Sequence, residues 1–327
     1  MIMAKKKVAL GLDIGGTTTT YGFVDAQGEI LFEAQMQTRS KEHVTAYLPR
    51  LYKALDAAFA QVAEQTDCIG IGIGAPNANY FRGTVENPPN LNWGGVVNLS
   101  ELVQNQYQLP VAITNDANAA ALGEMKFGAA RGMKNFILIT LGTGLGSGIV
   151  VNGELVYGHS GFAGEMGHLI VNSNGRICGD GRRGCLEAYV SVTGIRRTVS
   201  KLLADSLAPS ELRNVGQDDL SGERIAQAAL NGDKIALEAF EYTGRILGQK
   251  LADTVLITSP EAVILFGGLA NSKDLIFEPT LRHLERNLFG PFRGTVKLMI
   301  SELQEKNAAV LGAAGLIWHE MEKRAGA

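Results

Sequence analysis

A repeated glycine-rich hairpin is the feature that most restricts the folds open to this chain of 327 residues. One copy spans residues 15–30 and the other spans residues 142–155, and in each a glycine turn lies between two apolar segments rich in β-branched residues. Both copies close with glycine, glutamate and an aliphatic residue. One such hairpin can arise by chance, but two matching copies indicate an internal duplication. The sequence therefore predicts an α/β protein with two lobes.

Hydrophobic periodicity predicts the other main elements. We expect a β-meander over residues 8–33, an amphipathic helix over 41–65, a strand over 262–266 and a final helix over about 307–323. Ser100 is expected to cap a short helix. After a glycine-rich loop over residues 172–184, the rest of the chain is expected to be mainly helical apart from the 262–266 strand.

The expected domain organisation follows from the position of the repeat. Residues 1–114, together with the C-terminal helix at about 307–327, should form a small N-terminal lobe, and residues 115–306 a large lobe. The segment 75–98 is expected to be irregular. Because no low-complexity linker divides the chain, we expect the lobes to pack closely around a cleft.

Composition narrows the classes of function. Hydrophobic residues make up 46% of the chain and charged residues 19%, which is typical of a globular protein. A net charge of −3, with lysines 5–7 as the only basic run, argues against nucleic acid as the main partner. The apolar run after those lysines is cut short by Asp13, so neither a signal peptide nor a membrane span is expected. Three cysteines favour a reducing compartment, and we expect the cytoplasm.

The two glycine loops predict a phosphate-binding site. A tight turn with threonine hydroxyls directs several hydrogen-bond donors at one point, as phosphate oxygens require. Asp13 precedes the first turn, and a carboxylate beside phosphates is favourable only with a divalent cation, so Mg²⁺ is expected. A single loop fits a plain hairpin equally well, but the repetition favours phosphates. A P-loop NTPase is excluded because no Gly-Lys pair occurs in the chain.

A second group of candidate residues, Thr114-Asn115-Asp116-Ala117-Asn118, lies at a predicted junction of strand and helix. Phosphoryl transfer to an alcohol needs a base that accepts the hydroxyl proton, and Asp116 has the chemistry for that role. The local sequence fits a helix N-cap equally well, with Asn115 or Asn118 sharing the capping.

A third group has the composition of a metal site. His168, Cys178 and Cys185 are candidate zinc ligands, and Asp180 is a candidate fourth ligand. The simpler interpretation is that the cysteines are buried thiols and that His168 is a hydrogen-bonding polar residue.

Three further features lie around this group. Two interpretations are open for Glu165 and Glu187: they accept hydrogen bonds from sugar hydroxyls, or they are ordinary surface acids. Residues 179–184 match a dinucleotide-binding pattern of glycines, but no clear strand precedes them, so we regard the match as accidental.

Together the spaced motifs resemble the ROK family of bacterial sugar kinases within the actin–hexokinase superfamily, and its glucokinases most. The resemblance spans nearly the whole chain and rests on Asp13-Ile14-Gly15-Gly16-Thr17, Asn115-Asp116, Leu141-Gly142-Thr143-Gly144, Glu165-Met166-Gly167-His168, Cys185-Leu186-Glu187 and Phe266-Gly267-Gly268. It implies a two-lobed actin/hexokinase-like (ribonuclease H-like) α/β fold with an active-site cleft between the lobes.

The resemblance also implies roles for individual residues. Those implied to bind ATP and Mg²⁺ are Asp13, Gly15, Gly16, Thr17, Thr18, Gly142, Thr143, Gly144, Gly267 and Gly268. Those implied to bind the sugar, with the backbone near Gly74, are Asn90, Asn115, Asp116, Glu165, His168 and Glu187. Asp116 is implied to be the general base.

The metal loop departs from the family pattern at one position. The family implies zinc held by His168 and three cysteines, whereas Asp180 stands where the middle cysteine is expected. We expect zinc to be retained on His168, Cys178, Asp180 and Cys185, although an oxygen ligand should weaken the site. Its implied role is to order the loop that carries Glu187.

We therefore expect ATP-dependent phosphorylation of a hexose at O6, with glucose preferred. N-acetylglucosamine, N-acetylmannosamine, mannose and fructose are the alternative substrates implied by the family. A sugar-sensing ROK regulator is disfavoured because the predicted first strand begins at about Val8, before which we expect no winged-helix domain. An actin- or Hsp70-like ATPase is disfavoured by the sugar-binding motifs. The resemblance also suggests a homodimer or a dimer of dimers.

Overall fold

The computed structural model describes residues 5–303 and 308–326, and the chain divides into two compact units. The first unit takes the described residues up to Gly132, the segment Leu155–Ala163 and the C-terminal helix. The second takes Met133–Glu154 and the described residues from 164 to 303. The expected boundary after residue 114 thus falls inside the first unit, and residues 307 and 327 of the expected last helix lie outside the described ranges.

The elements are given in chain order. The strands are β1 (Lys6–Ile14), β2 (Thr18–Asp25), β3 (Ile30–Gln37), β4 (Thr66–Gly74), β5 (Ala78–Asn79), β6 (Thr84–Glu86), β7 (Val96–Val97), β8 (Val111–Thr114), β9 (Phe136–Leu141), β10 (Leu145–Val151), β11 (Glu154–Leu155), β12 (Ala262–Phe266) and β13 (Lys297–Ile300). The α-helices are α1 (Val44–Val62), α2 (Leu99–Tyr107), α3 (Asp116–Phe127), α4 (Val192–Asp205), α5 (Gly222–Leu230), α6 (Lys234–Thr258), α7 (Asp274–Asn287) and α8 (Ala308–Gly326).

Two five-stranded sheets share one plan. Their strand orders are β3-β2-β1-β4-β8 and β11-β10-β9-β12-β13. In each, an antiparallel hairpin (β1 with β2, β9 with β10) is extended by two parallel strands beyond its first strand. The turn after each hairpin, from β2 to β3 and from β10 to β11, has a glycine in the left-handed region: Gly28 at φ 84° and Gly153 at φ 81°. The duplication read from the sequence is therefore present in the fold.

The core of the first unit lies on both faces of its sheet. Strand β1 is central, so residues pointing to either face, such as Val8 and Ala9, are fully buried. Helix α1 covers one face with Tyr47, Leu51 and Leu55, which join the same hydrophobic cluster as β1. Helix α8 lies against β1 and β4, and it also packs against α3.

Small residues let α8 approach its neighbours at backbone distance. Side chains at Gly11 and Gly72 would collide with the carbonyl oxygens of Val310 and Ala313 on α8. A Cβ atom at Gly312 would lie only 2.6 Å from the carbonyl oxygen of Ala119 on α3. The C-terminal helix is thus clamped between the sheet and α3, the helix that begins at Asp116.

Two expectations about elements were wrong, and one strand was not expected. Ser100 does not cap α2, which begins at Leu99 after Asn98; no side chain caps this helix, and the Ser100 N–H donates to the carbonyl of Gly83 (2.9 Å). The 75–98 segment contains the small sheet β5-β6-β7, whose strands have only two or three residues and are too short to show a pattern. Strand β13 was not expected within the helical region. It pairs in parallel with β12, and its four residues are too few to show a strand pattern in the sequence.

No helix in the described ranges combines the length and apolar character needed to cross a bilayer.

Candidate active site

The first glycine loop joins β1 to β2 and is a tight turn. The Gly15 N–H donates to the carbonyl of Thr18 (3.0 Å), which folds Gly16 and Thr17 into the tip. A Cβ atom at Gly16 would lie 3.2 Å from the Cβ of Asn90. The structure therefore brings together five residues that the sequence assigned to nucleotide or sugar binding.

Two carboxylates meet beside this loop. Asp13 is the penultimate residue of β1, and Asp116 begins α3 after β8. Gly74, at the end of β4, lies near both: a Cβ there would be 3.3 Å from Asp13 Oδ1 and 4.0 Å from the Asp116 Cα. Burial and the charge of Asp116 raise the pKa of Asp13 to about 7, and desolvation by the surrounding protein raises the pKa of Asp116, although this residue is exposed to solvent. Parallel strands bring both groups to the same sheet edge.

The N-terminus of α3 settles which residue caps it. Asn115 is the N-cap, and its Oδ1 accepts the N–H of Asn118 (2.7 Å). Asp116 is the first helical residue, and its Oδ1 accepts the N–H of Ala117 (2.8 Å). The cap interpretation thus applies to Asn115, and the helix N-terminus contributes partial positive charge beside Asp116.

The second glycine loop joins β9 to β10 in the second unit. Its turn is closed by the Gly142 N–H, which donates to the carbonyl of Gly144 (3.0 Å), with Thr143 at the tip. The Leu145 N–H donates to Glu187 Oε2 (3.0 Å), and a side chain at Gly144 would collide with the same carboxylate. Glu187 is therefore fixed against the loop.

Two short 3-10 helices carry the remaining candidate sugar ligands. Glu165 precedes the first, Met166–His168, and the His168 N–H donates to the Glu165 carbonyl (3.1 Å). Glu187 lies in the second, Leu186–Ala188. Cys178 connects them, because its Sγ lies 3.9 Å from His168 Nδ1 and 3.7 Å from Glu187 Oε1.

His168, Cys178, Asp180 and Cys185 form one cluster. A ligand atom from each lies within 4.8 Å of the others. His168 Nδ1 is 3.1 Å from Asp180 Oδ2, and Cys185 Sγ is 3.8 Å from Asp180 Oδ1. Ligands bound at about 2.0–2.3 Å around a tetrahedral zinc ion lie about 3.3–3.8 Å apart, so the donor set fits zinc and these two separations are close to those of a zinc site.

The charges of the cluster are set by its neighbours. Burial raises the pKa of the Cys178 thiol to about 12. Burial acts in the same direction on Asp180, but hydrogen bonds from the backbone and guanidinium of Arg182 lower its pKa to about 2. A bound cation would favour the thiolates, because metal binding displaces protons from such ligands.

The Phe266-Gly267-Gly268 turn lies next to the second loop. Gly267 has φ 98°, and a Cβ atom there would lie 3.0 Å from the carbonyl oxygen of Leu141, the residue before Gly142. The same carbonyl accepts the N–H of Leu269 (3.0 Å). Residues 179–184, by contrast, belong to a hairpin-like turn in which Ile177 pairs with Arg183, so the strand–turn–helix context of a dinucleotide site is absent there.

Comparison with known proteins identifies the family. The model of the ROK family matches residues 9–320. The chain belongs to the ROK family. It is 35% identical to a glucokinase of Streptomyces coelicolor over 94% of this chain and 97% of that one, and 32% identical to a xylose repressor of Caldicellulosiruptor bescii over 95% and 78%. The solved structure of a ROK family glucokinase from Streptomyces griseus, in complex with glucose and AMPPNP, has 35% identity and a TM-score of 0.78 over 94% of this chain and 98% of that one. The fold is accordingly the actin/hexokinase-like α/β fold of ROK glucokinases.

Sequence reasoning missed supporting residues in both units of this ROK protein. Thr19, Thr38 and Tyr47 form a buried hydroxyl network behind the first loop, with Thr19 Oγ1 2.9 Å from Thr38 Oγ1 and 3.0 Å from Tyr47 Oη. Arg176 binds the segment that follows Glu187. No local pattern distinguishes these residues, because their partners are distant in sequence.

Proposed function

We propose that this ROK-family protein is an ATP-dependent sugar kinase that converts glucose to glucose 6-phosphate. The observation that carries the proposal is the pair of carboxylates with raised pKa, Asp13 and Asp116, at one sheet edge beside the first glycine loop. The Streptomyces griseus structure, with its glucose and AMPPNP, supports both the sugar and the nucleotide.

The phosphates of ATP would be bound by donors in the two glycine loops. The loops offer backbone N–H groups and the hydroxyls of Thr17, Thr18 and Thr143, and the Gly267-Gly268 turn is proposed to contact the adenosine. Mg²⁺ would be held on the side of Asp13, because a carboxylate oxygen is the hard donor that this ion prefers. The ion supplies charge neutralisation for the phosphates when bound.

Asp116 would accept the proton from the attacking O6 hydroxyl. Desolvation by the surrounding protein raises its pKa, which makes the ionised carboxylate a better base than an aspartate with the ordinary pKa. Because Asn115 performs the capping through its Oδ1, the amide Nδ2 of Asn115 is the group we assign to the sugar. Asn90, next to Gly16, is assigned to the same substrate.

In the second unit, Glu165, His168 and Glu187 are proposed to bind sugar hydroxyls. His168 directs Nδ1 at the cysteine cluster, so we assign Nε2 to the sugar. His168, Cys178, Asp180 and Cys185 would hold a structural zinc ion, which supplies order to this loop and takes no part in the chemistry.

The test is a coupled assay with ATP against glucose, N-acetylglucosamine, N-acetylmannosamine, mannose and fructose. Glucose should have the highest kcat/KM. Asp116→Asn should lower kcat by about 10²–10⁴-fold, the usual contribution of a general base, while sugar affinity measured by calorimetry changes little. Asp67→Asn, at an exposed carboxylate of the same unit, is the matched control. Near-normal turnover of Asp116→Asn would refute the assignment.

A sugar-sensing regulator is the second candidate, because xylose repressors are also among the relatives at 30–32% identity. It predicts sugar binding without phosphoryl transfer by the wild-type protein. ATP hydrolysis that no sugar alters would instead favour a protein-directed ATPase. We also propose that the protein is cytoplasmic and forms a homodimer or a dimer of dimers. Light scattering of the purified protein would measure the oligomeric state.

A further inference from the structure

Arg176 makes a set of contacts that ties the cysteine loop to the segment after Glu187. Its Nη1 donates to the carbonyls of Ala188 (3.0 Å) and Gly194 (2.9 Å), and its Nη2 donates to Thr198 Oγ1 (3.0 Å). One guanidinium thus binds the residue next to Glu187 and two residues of α4.

The aromatic neighbours of Arg176 fix its orientation. The guanidinium lies over the Tyr189 ring, 4.6 Å from its centroid, and the Tyr242 ring is 5.9 Å away. The backbone N–H of Arg176 donates to the Tyr189 hydroxyl (3.0 Å). A planar guanidinium stacked on a ring and bonded through its fork has little freedom to turn, so its acceptors are held in a fixed relation to one another.

These neutral partners make a purely stabilising role an incomplete explanation. Desolvating a cation is costly when the acceptors are carbonyls, a hydroxyl and rings rather than a carboxylate. What the arginine adds is geometric, because a single side chain aligns the end of one 3-10 helix with the start of α4.

The Glu187 segment is attached to the rest of its unit both through the Glu187 carboxylate and through the neighbouring Ala188. Its carboxylate accepts the Leu145 N–H, and it lies 3.7 Å from the Sγ of Cys178 in the metal cluster. Its neighbour Ala188 is bound by Arg176, which lies two residues before Cys178. The second attachment needs no metal, and Asp180 supplies an oxygen where a thiolate would bind zinc more strongly.

We propose that Arg176 is a positioning residue for sugar binding, which holds the Glu187 segment in place independently of the metal cluster. This inference rests on the proposed function, because the sugar-binding role of Glu187 is itself proposed. Arg176 acts through Glu187 and is not assigned a contact with the sugar.

The first experiment measures KM values for glucose and ATP with Arg176→Gln. We expect the glucose KM to rise by about tenfold or more, as for other residues that orient a ligand, with the ATP KM within about twofold of wild type. Arg197→Ala is the matched control, because its Nη1 donates to the Ile177 carbonyl of the same loop (2.9 Å) without reaching Ala188. An unchanged glucose KM in folded Arg176→Gln, or an equal rise in the control, overturns the proposal.

Two further measurements keep the proposal testable if Arg176→Gln folds poorly or the wild type shows no kinase activity. Tyr189→Phe keeps the arginine but removes the acceptor of its N–H, and we expect the glucose KM to rise about threefold. Hydrogen exchange of the amides of residues 186–190, in protein stripped of metal with a chelator, should be protected in wild type and faster in Arg176→Gln. Equal exchange rates in wild type and Arg176→Gln refute the Arg176 attachment. A wild-type protein that phosphorylates no sugar refutes only the proposed kinase function.

Discussion

The hydroxyl network behind the first loop gives a prediction whose magnitude follows from the structure. Thr19 is fully buried and makes two hydrogen bonds, to Thr38 at 2.9 Å and to Tyr47 at 3.0 Å. Thr38 and Tyr47 are themselves 1% and 0% exposed, so water cannot replace a lost partner. Thr19 follows Thr17 and Thr18 directly, at the start of β2, so the network also fixes the position of the proposed phosphate donors.

Thr19→Val keeps the shape of the side chain and removes its hydroxyl. Two buried bonds contribute about 1 kcal/mol each, and the partners left behind add a desolvation cost, so we expect the free energy of unfolding to fall by about 2–3 kcal/mol. Urea unfolding followed by circular dichroism measures this loss. The ATP KM should rise in the same variant, with the glucose KM less affected.

Tyr47→Phe is the companion variant, because it removes one of the two bonds. We expect a loss of about 1 kcal/mol, and the double variant should lose about 1 kcal/mol less than the sum of the single losses, because both single changes remove the same bond. A Thr19→Val loss below about 0.5 kcal/mol, or additive losses in the double variant, would refute the reasoning.

Three other predictions concern charge, metal and close packing. In protein without ligand, the free energy of unfolding should fall as pH rises from about 4 to about 7, because the raised pKa of Asp13 makes the folded state hold its proton more tightly than the unfolded chain; Asp13→Asn should flatten this pH profile. Protein purified without chelators should contain about one zinc per chain by elemental analysis, and Cys185→Ser should lower that content. Gly144→Ala should raise the glucose KM at least tenfold by displacing the Glu187 carboxylate, whereas Gly290→Ala, where a Cβ meets nothing within 4 Å, should not.

Features with a local signature could be predicted from the sequence. The two hairpins, their glycine turns and the strand β12 depend on residues adjacent in the chain, and each appears where the pattern placed it. The grouping of His168, Cys178, Asp180 and Cys185 was also expected, because their residue types are those of zinc ligands and all four lie within residues 168–185.

Features that depend on distant contacts were harder to predict. Asp13 and Asp116 are brought together through Gly74, and nothing in the sequence around either residue indicates the other. The cap of α3 could not be assigned to Asn115 or Asp116 from propensity alone, because both residue types cap helices well. Arg176 lies in a glycine-rich loop whose pattern suggests only a turn, and its role depends on Ala188 and α4.

The two loops of the duplication have diverged at one chemically decisive position. Asp13 lies two residues before Gly15, and the corresponding residue before Gly142 is Thr140. Its hydroxyl accepts the Gly146 N–H (3.0 Å), so this position supports the second loop without adding charge. At this position the first loop has a carboxylate suited to a cation, whereas the second has a neutral hydroxyl.

Thr140→Asp tests whether that asymmetry matters. A second carboxylate beside phosphate oxygens, about 4 Å away at an effective dielectric constant of about 20, repels them by roughly 4 kcal/mol before screening, so the ATP KM should rise at least tenfold. Thr140→Ser keeps the hydroxyl and serves as the control, with an ATP KM near that of wild type. If Thr140→Asp binds ATP as wild type does, the second loop does not contact phosphate, and the duplicated hairpin would be a structural repeat with only one nucleotide-binding copy.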